Sequence, residues 1–360
     1  MEGKKEVKEV QVTITPSQNN GQWKVSEDEF YSILRTISPG TNLRAALDSA
    51  LKVGKGALIA VESDNLLSIL DGGFRVNCRF TPQRLSELVK MDGAIILSKD
   101  MKRINYANVM LTPDSKIKTH ETGTRHKAAE RTARQTGTLV IAISERKHDI
   151  HLFYKNMKYY VRNTDELLRK ASTYVQMLEK QRELFDMYVD KLNRLELKNY
   201  YSLNQAISVI QKGKLIQRMS EDLKRYIFEL GTEGVILKFR MREIIAGVEK
   251  ETNLVIKDYS NLDFKKSRNL LDELSYEDIL DHGKIPSILA VNLDSVSLNV
   301  KGWRILSRTS LSEAEIAKLI RDKGSLGATI HSNILSYTHV LGEEKAKKFK
   351  DEIERIKLNP

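Results

Sequence analysis

The 360-residue chain contains a single cysteine, Cys78, and this scarcity limits where the protein works and how it is stabilised. One cysteine cannot form an intrachain disulfide, and disulfide-rich scaffolds belong to oxidising compartments. The first 22 residues are polar and mixed in charge, without the apolar stretch of a secretory signal. We therefore expect a cytoplasmic location, a polar tail over residues 1–24, and Cys78 as a small apolar packing residue.

Long apolar runs are also missing. No stretch of about 18 consecutive apolar residues occurs, so the sequence predicts no membrane-spanning helix. The common phosphate and metal motifs G-x-x-x-x-G-K-[ST], G-x-G-x-x-G, H-E-x-x-H and C-x-x-C are absent. His120 and His126 are separated by a glycine turn, which is a poor arrangement for zinc. If the chain handles nucleotides, it does so without these motifs.

Positive charge is in excess. The 59 Lys and Arg residues exceed the 48 Asp and Glu residues, which gives a formal net charge of +11. A basic chain favours polyanionic partners such as nucleotides, nucleic acid or acidic lipid, and the charge alone does not choose among them. The length allows two or three domains of roughly 100–200 residues each.

Helix-like and strand-like segments alternate from about residue 28 onward. Short apolar runs predict strands at 56–61, 93–97, 106–111 and 139–144. Helices are predicted at 27–37, 43–52, 82–91 and 125–135. This interleaving predicts an α/β domain over residues 25–162, with a central, mostly buried mixed sheet.

The pattern becomes helical after residue 163. Apolar residues keep an alternating spacing of four and three from Leu167 to Leu195, which predicts a long spine helix. Such a helix either packs inside its own domain or joins domains or subunits, and the sequence leaves both open. Further amphipathic helices predict an all-α middle domain over residues 163–298. Residues 299–360 are typical of short helices joined by tight turns.

The most informative stretch is ETGTRHKAAER, residues 121–131. Gly123 permits a tight turn, Thr124 suits a helix N-cap, and the alanines after it propagate a helix. A helix N-terminus attracts anions, yet the first turn carries Arg-His-Lys where acidic residues are favoured. A local rule broken in this way is typical of a functional site. We interpret the helix start as a phosphate cradle; a solvated basic helix start is the alternative.

Two more candidates lie at the ends of predicted strands. Asp92 stands between a helix and a buried strand, where a carboxylate can bind a divalent metal or accept a proton from a hydroxyl. Gly93 leaves room for a ligand to approach the backbone. Ser144 and Glu145 follow the fourth strand, where α/β folds usually place ligands. Each of these signals, taken alone, is more typical of a connecting or surface residue.

Taken in order, MDGAIIL (residues 91–97) and GTRHKAAER (residues 123–131) resemble the signature of the diadenylate cyclase family, which carries a DGA and then an R-H-R motif. The segments PGT at 39–41 and ISER at 143–146 are also similar to that family. Lys127 stands where the family usually has arginine. Lysine keeps the positive charge but loses the planar guanidinium fork.

The order of the parts resembles the DNA-integrity-scanning branch of this family, which has a cyclase domain, a helical linker and a helix-hairpin-helix DNA-binding domain. The segment 340–346 is similar to the second hairpin, with Val340 in place of its first glycine, and the first hairpin, over 304–320, lacks a glycine pair. The likeness implies DNA contacts from Gly342, Lys345 and Lys347, with branched or damaged DNA as the partner.

The resemblance also implies an activity. Two ATP molecules would be condensed into cyclic di-AMP and two pyrophosphates, with Mg²⁺ or Mn²⁺, across a face-to-face subunit interface in a homo-octamer. Asp92, Arg125 and His126 would be catalytic, and Asp92 would bind the metal. The implied nucleotide-binding residues are Gly93, Ala94, Leu111, Gly123, Thr124, Arg125, His126, Lys127, Ala128, Ser144 and Glu145. DNA binding would modulate turnover and associate the protein with the nucleoid.

Two other functions stay open. A non-enzymatic, nucleotide-sensing DNA-binding scaffold suits the basic charge, the apolar seam and the hairpin. A different nucleotidyl transferase is a third interpretation. The product formed from ATP separates them, because a scaffold gives none and another transferase gives a linear or DNA-linked product.

Overall fold

The computed structural model describes residues 25–281, 283–291 and 300–358. The chain forms two compact units. The first contains residues 25–170 together with Tyr226–Val235, and the second contains Ala171–Arg225 with the described residues from Ile236 onward. The predicted polar tail over residues 1–24 lies outside the described residues. So does the predicted boundary between residues 298 and 299.

A mixed sheet with helices on both faces forms the first unit. Its helices are α1 (Glu27–Ile37), α2 (Asn42–Val53), α3 (Asp64–Leu67), α4 (Pro82–Leu88) and α5 (Thr124–Thr136). Its strands are β1 (Ala57–Val61), β2 (Leu70–Asp71), β3 (Phe74–Arg79), β4 (Ala94–Leu97), β5 (Arg103–Leu111), β6 (Leu139–Ser144), β7 (Asp149–Tyr154) and β8 (Met157–Val161). The predicted α/β domain with a mixed sheet is confirmed.

The strands follow the order β2-β5-β4-β1-β6-β7-β8, and β3 also pairs with β5. Strands β1 and β4 are parallel, and the other pairs are antiparallel. The central strands β4, β1 and β6 are almost completely buried, as their continuous apolar runs predict. The predicted strands did not include β2, β3, β7 and β8. These lie toward the edges, where polar or only partly buried positions interrupt the apolar pattern. Cys78, on β3, is only partly buried against the core.

Successive residues of the central strands enter two separate cores. Ile59 and Ile141 are paired across β1 and β6 and pack on the side of α1, α2 and α4. Val140 belongs to the other core, together with Ala129 and Ala133 of α5. Full burial of a side chain such as isoleucine contributes about 1.5–3 kcal/mol. The small alanines let α5 lie close to the sheet, which fixes the position of its first turn.

The rest of the described chain is helical. Its helices are α6 (Thr164–Leu197), α7 (Leu203–Leu230), α8 (Val235–Ile245), α9 (Val248–Tyr259), α10 (Phe264–Asp272), α11 (Tyr276–Leu280), α12 (Lys284–Ile288), α13 (Trp303–Leu306), α14 (Glu313–Lys323), α15 (Leu326–His331), α16 (Ile334–Leu341) and α17 (Glu343–Leu358), with a short 3₁₀ turn at Gly231–Gly234. No helix within the described ranges combines the length and apolar character that crossing a bilayer requires.

The predicted spine helix is α6, which is 34 residues long. Its seam residues Leu178, Phe185 and Leu192 are buried within the chain. The division between the two units falls within α6, after Lys170, so packing within one domain and joining domains or subunits both stay open.

A buried ionic cluster stabilises the second unit. The Arg304 side chain is fully buried, donates hydrogen bonds to Glu196 and Asn193, and lies 3.3 Å from Glu251. The Asp258 carboxylate accepts three successive backbone N–H groups at the start of α13, at 2.6–2.9 Å. Because these partners come from α6, α9 and α13, the cluster joins three helices that are far apart in the sequence.

The C-terminal helices are joined by tight turns, as predicted. Gly342 alone connects α16 to α17, with a φ of 83° that favours glycine. Val340 lies in the last turn of α16, where no glycine conformation is needed, so the missing glycine does not loosen this turn. Residues 307–312 connect α13 to α14, and α14 begins with a capping box between Ser312 and Glu315.

Candidate functional site

Three predicted segments meet at one edge of the sheet. Because β4 is parallel to β1 and β6 is antiparallel to it, the N-terminal ends of β1 and β4 lie beside the C-terminal end of β6. Asp92 and Gly93 precede β4. Ser144 is the last residue of β6, and Glu145 follows that strand. Open α/β sheets usually bind ligands at the C-terminal ends of their parallel strands. The candidate site therefore lies at the opposite ends of the parallel pair β1 and β4.

Arg125 stands between two carboxylates at this edge. Its Nη2 lies 3.9 Å from Asp92 Oδ1, and its Nη1 lies 3.8 Å from Glu145 Oε2. Both distances exceed a hydrogen bond, and the Arg125 side chain is 39% exposed. Gly56, just before β1, makes room for the guanidinium, because a Cβ there would lie 2.7 Å from Nη1. Neither carboxylate accepts a hydrogen bond from the guanidinium, so its N–H groups are available to bind a ligand.

Helix α5 begins without a side-chain cap. Gly123 is the N-cap residue and Thr124 is the first helical residue, so the prediction of Thr124 as the cap was wrong by one position. The Lys127 N–H donates to the Gly123 carbonyl at 2.9 Å. The backbone N–H groups of residues 124–126 have no intrahelical acceptor, and the first turn contains no acidic side chain. Such a helix start attracts anions.

The segment that leads into α5 is held by the helix itself. The Arg131 Nε donates to the carbonyl of Ile117 at 2.9 Å. The Thr119 hydroxyl donates to the carboxylate of Glu130, which precedes Arg131 on α5. These contacts fix the approach to the glycine turn, so the uncapped helix start is rigidly placed at the sheet edge.

His126 lies beside two residues of β7. Its Nε2 is 3.3 Å from His151 Nδ1, and that nitrogen is 3.5 Å from Asp149 Oδ1. Burial lowers the pKa of His126, and burial lowers the pKa of His151 to about 4. Both imidazoles are therefore neutral at pH 7. His126 brings a hydrogen-bonding ring to the helix start, and the positive charge there comes from Arg125 and Lys127.

The predicted site residues did not include Gly56, Asp149 and His151. The β6–β7 pairing places Asp149 opposite Ser144 and His151 opposite Ala142. The D-I-H spacing puts both polar side chains on one face of a strand, and this is the signal that would have found them. It went unused because β7 itself was not predicted.

The other predicted residues occupy different environments. Gly93 has a φ of 86°, and a Cβ there would lie 2.8 Å from the backbone of Asn108. The neighbouring strand β5 therefore accounts for this glycine, and the predicted approach of a ligand to Gly93 stays a prediction. Ala94 is fully buried and Leu111 is nearly so, and their predicted contacts with the nucleotide stay predictions. Ala128 is half-buried against the core on the α5 side.

The predicted DNA-binding residues lie near the start of α17, in the second unit. The Gly342 N–H donates to the Thr338 carbonyl at 2.9 Å, so it caps α16. The backbone N–H groups of residues 343–345 have no intrahelical acceptor. The Lys345 ammonium pairs with Glu315 at 2.6 Å, whereas Lys347 is exposed and forms no ion pair with a described residue.

An uncapped helix start with two cations, set beside a carboxylate at a sheet edge, is typical of an α/β domain that binds phosphate groups. Comparison with known families agrees. The family described as DisA bacterial checkpoint controller nucleotide-binding matches residues 44–158, and the family described as DisA bacterial checkpoint controller linker region matches residues 161–298.

Relatives match over nearly the whole chain. The DNA integrity scanning protein DisA of Symbiobacterium thermophilum is 40% identical over 337 residues, covering 91% of this chain and 96% of the relative. The protein of the same name from Bacillus subtilis is 38% identical over 341 residues, covering 92% and 94%. A solved structure of DacA from Staphylococcus aureus, a double mutant, covers 38% of this chain and 91% of that one, with a TM-score of 0.28 and 22% identity. That score is too low to add to the argument.

The chain belongs to the DisA family, and it is a diadenylate cyclase. The family acts on ATP, generally with a divalent metal ion. Because the chain belongs to this family, the interpretation as a non-enzymatic scaffold is wrong.

Proposed function

We propose that two copies of the chain place their α/β units face to face, so that each copy supplies half of a site that converts two ATP into cyclic di-AMP. The observation that carries this proposal is the exposure of Asp92. Its side chain is fully exposed although it lies beside Arg125, which is in the first turn of α5. A carboxylate that faces solvent here is free to act on a nucleotide held by another chain.

The start of α5 binds the triphosphate. The backbone N–H groups of residues 124–126 and the Thr124 hydroxyl donate to phosphate oxygens, while Arg125 and Lys127 balance the negative charge. Glu145 positions the guanidinium from 3.8 Å away, with Ser144 beside it. Gly93, Ala94 and Leu111 line the position of the nucleoside, and Gly123 and Ala128 complete the walls of the cradle.

Each half-reaction forms one bond and breaks one bond. The 3′-oxygen of one ATP bonds to the α-phosphorus of the other, the bond from that phosphorus to the bridging oxygen breaks, and pyrophosphate leaves. Asp92 accepts the hydroxyl proton. Two such steps close the ring. The attacking oxygen must lie about 3–3.5 Å from phosphorus, and a symmetric pair of sites provides this alignment.

The donor chemistry at Asp92 fits a divalent cation. A solvent-facing carboxylate together with phosphate oxygens offers the hard oxygen ligands that Mg²⁺ and Mn²⁺ prefer. Such an ion, when bound, neutralises charge on the phosphates. Asp92 would then serve both the metal and the hydroxyl proton.

Product formation from ATP and Mn²⁺, read by mass spectrometry, tests this function. We expect Asp92→Asn to abolish cyclic di-AMP formation and to leave ATP binding largely intact, because asparagine keeps the shape but cannot accept the proton. The control is Asp64→Asn, which changes an exposed aspartate beyond the other end of β1 and should keep full activity. Cyclisation by Asp92→Asn at the wild-type rate would remove Asp92 from the mechanism.

We also propose that residues 299–360 bind branched or damaged DNA and that this binding modulates the cyclase. The support is the Gly342 turn, the N–H groups of residues 343–345 without intrahelical acceptors, and the exposed Lys347. Lys345 contributes less because Glu315 already pairs with it. The proposed assembly is a homo-octamer, and DNA binding would associate it with the nucleoid.

A further inference from the structure

A second group of ligand-type side chains lies beside the cradle. His126, Asp149 and His151 each bring one donor atom, and the three atoms lie within 4.8 Å of one another. Two of the separations are short: 3.3 Å between the imidazole nitrogens, and 3.5 Å between His151 Nδ1 and Asp149 Oδ1. Strand β7 pairs with β6 on one side and with β8 on the other, which holds its two residues rigidly.

We propose that His126, Asp149 and His151 form a binding site for a divalent transition-metal ion, with Zn²⁺ as the best match. Tetrahedral zinc holds nitrogen and oxygen ligands at about 2.0–2.2 Å, so neighbouring ligand atoms lie about 3.3–3.5 Å apart. The two short separations have this length. Three protein ligands leave a fourth position for water. Imidazole nitrogen suits zinc, copper or nickel, whereas Mg²⁺ prefers oxygen, which separates this site from the ion expected at Asp92.

The Asp149 carboxylate gives independent support. Its Oδ1 is buried and has no hydrogen-bond partner among the described residues. Buried polar atoms nearly always have a partner, so an unpaired carboxylate oxygen calls for one. A hydrogen bond between the two imidazoles would explain their 3.3 Å separation but would leave this oxygen unpaired. A cation bound by the three residues would give each of the three ligand atoms a partner.

The surroundings suit a bound cation. The Phe153 ring flanks both imidazoles, at centroid distances of 6.2 and 6.3 Å, and screens the site from water on one side. Lys158 and Lys147 are the nearby positive charges that oppose a cation, and the ion pair of Lys158 with Glu121 reduces the opposition from Lys158.

Occupancy has a consequence that rests on the proposed function. A metal that takes the lone pair of His126 Nε2 withdraws this ring from the phosphate cradle, so the site is inhibitory. Cyclisation should slow when Zn²⁺ binds and recover when a chelator removes it. The ion expected at Asp92 is different, so excess Mg²⁺ should not displace the zinc.

The experiment titrates the full-length protein with Zn²⁺ against a chromophoric chelator, in excess Mg²⁺, and records the visible spectrum with Co²⁺ in place of zinc. We expect one tight site per chain and a four-coordinate cobalt spectrum. His151→Gln and Asp149→Asn should each weaken Zn²⁺ binding by at least about tenfold. His120→Ala, which removes an exposed histidine, is the matched control and should bind zinc as the wild type does.

Equal zinc affinity in wild type and in both folded variants would overturn the site, as would the absence of a four-coordinate cobalt spectrum in the wild type. Circular dichroism checks that the variants fold; if neither folds, the wild-type cobalt spectrum decides. Cyclase assays separate this inference from the proposed function. Zinc that binds at these residues without slowing turnover would keep the site and remove His126 from the cradle.

Discussion

Arg125 in the first unit and Arg304 in the second both stand among carboxylates, but in opposite environments. Arg125 is 39% exposed, and its carboxylate neighbours lie 3.8–3.9 Å away, beyond hydrogen-bond distance. Arg304 is fully buried and hydrogen-bonds directly to Glu196. A loosely held guanidinium can exchange its neighbours for phosphate oxygens at little cost, whereas a buried one cannot leave without exposing an unpaired charge. The first is placed for a ligand, and the second holds helices together.

The largest expected effect follows from removing the buried guanidinium. Arg304→Ala leaves the Glu196 carboxylate buried without its cation, so the free energy of unfolding should fall by about 3–5 kcal/mol. Urea unfolding followed by circular dichroism measures this loss. Arg125→Ala, the exposed counterpart, should change stability by no more than about 0.5 kcal/mol. If both substitutions lowered the free energy of unfolding equally, the two arginines would not differ in their structural role.

The exposed guanidinium should matter for binding instead. Arg125→Ala removes charged hydrogen bonds to the triphosphate, each contributing about 1.5–3 kcal/mol, so ATP affinity should fall by roughly 10–100-fold. Isothermal titration calorimetry with ATP gives the affinity directly. Arg84→Ala, which removes an arginine on α4, is the control and should bind ATP normally. Unchanged affinity in Arg125→Ala would remove Arg125 from the cradle.

The two units should also respond oppositely to pH. Burial lowers the pKa of His151 to about 4, below its unfolded value near 6.5, so its contribution is present above pH 6.5 and is lost as the pH falls toward 4. Burial raises the pKa of Asp258 to about 7, so its contribution is present below pH 4 and is lost as the pH rises through 7.

Variants at these two positions separate the pH effects. Relative to the wild type with a chelator present, His151→Gln should make stability rise less steeply with pH between 4 and 6.5. Asp258→Asn should make it rise more steeply between 4 and 7. Urea unfolding at several pH values gives both slopes. Changes in the same direction would contradict the assigned environments.

The smallest effect concerns two lysines of α17. Lys347→Ala should lower the salt dependence of DNA binding by about one phosphate contact. Lys345→Ala should lower it less, because Glu315 already pairs with Lys345 at 2.6 Å. Fluorescence anisotropy with branched DNA at several salt concentrations measures both slopes. A larger loss from Lys345→Ala would mean that DNA displaces Glu315.

Local patterns were enough to predict much of the first unit. The apolar runs of β1, β4 and β6 locate the three buried strands. Asp92 precedes β4 and Glu145 follows β6, so both lie at one edge, beside Arg125 of α5. The pairing of β7 with β6 could not be read in the same way, because β7 mixes polar and apolar residues. His151 and Asp149 were missed for that reason.

The second unit was less accessible to sequence reasoning. Its helices were predicted from their apolar periodicity, but periodicity carries no information about buried polar partners. Arg304 and Glu196 lie more than 100 positions apart, and only the packing of α6 against α13 brings them together. The domain boundaries, the homo-octamer and the roles of the individual site residues stay predictions.

Mixing two defective variants tests the central claim that Asp92 of one chain acts on a nucleotide held by another. In a mixed oligomer, the Asp92→Asn chain keeps an intact cradle and the Arg125→Ala chain keeps an intact carboxylate. Where these two chains meet, one half-site therefore has both intact parts, and the other half-site has neither. We expect such mixed oligomers to form the linear dinucleotide and one pyrophosphate, well above the amount from either variant alone. If co-expressed chains assemble together yet form no more linear product than the separate variants, the two halves of the site do not come from different chains.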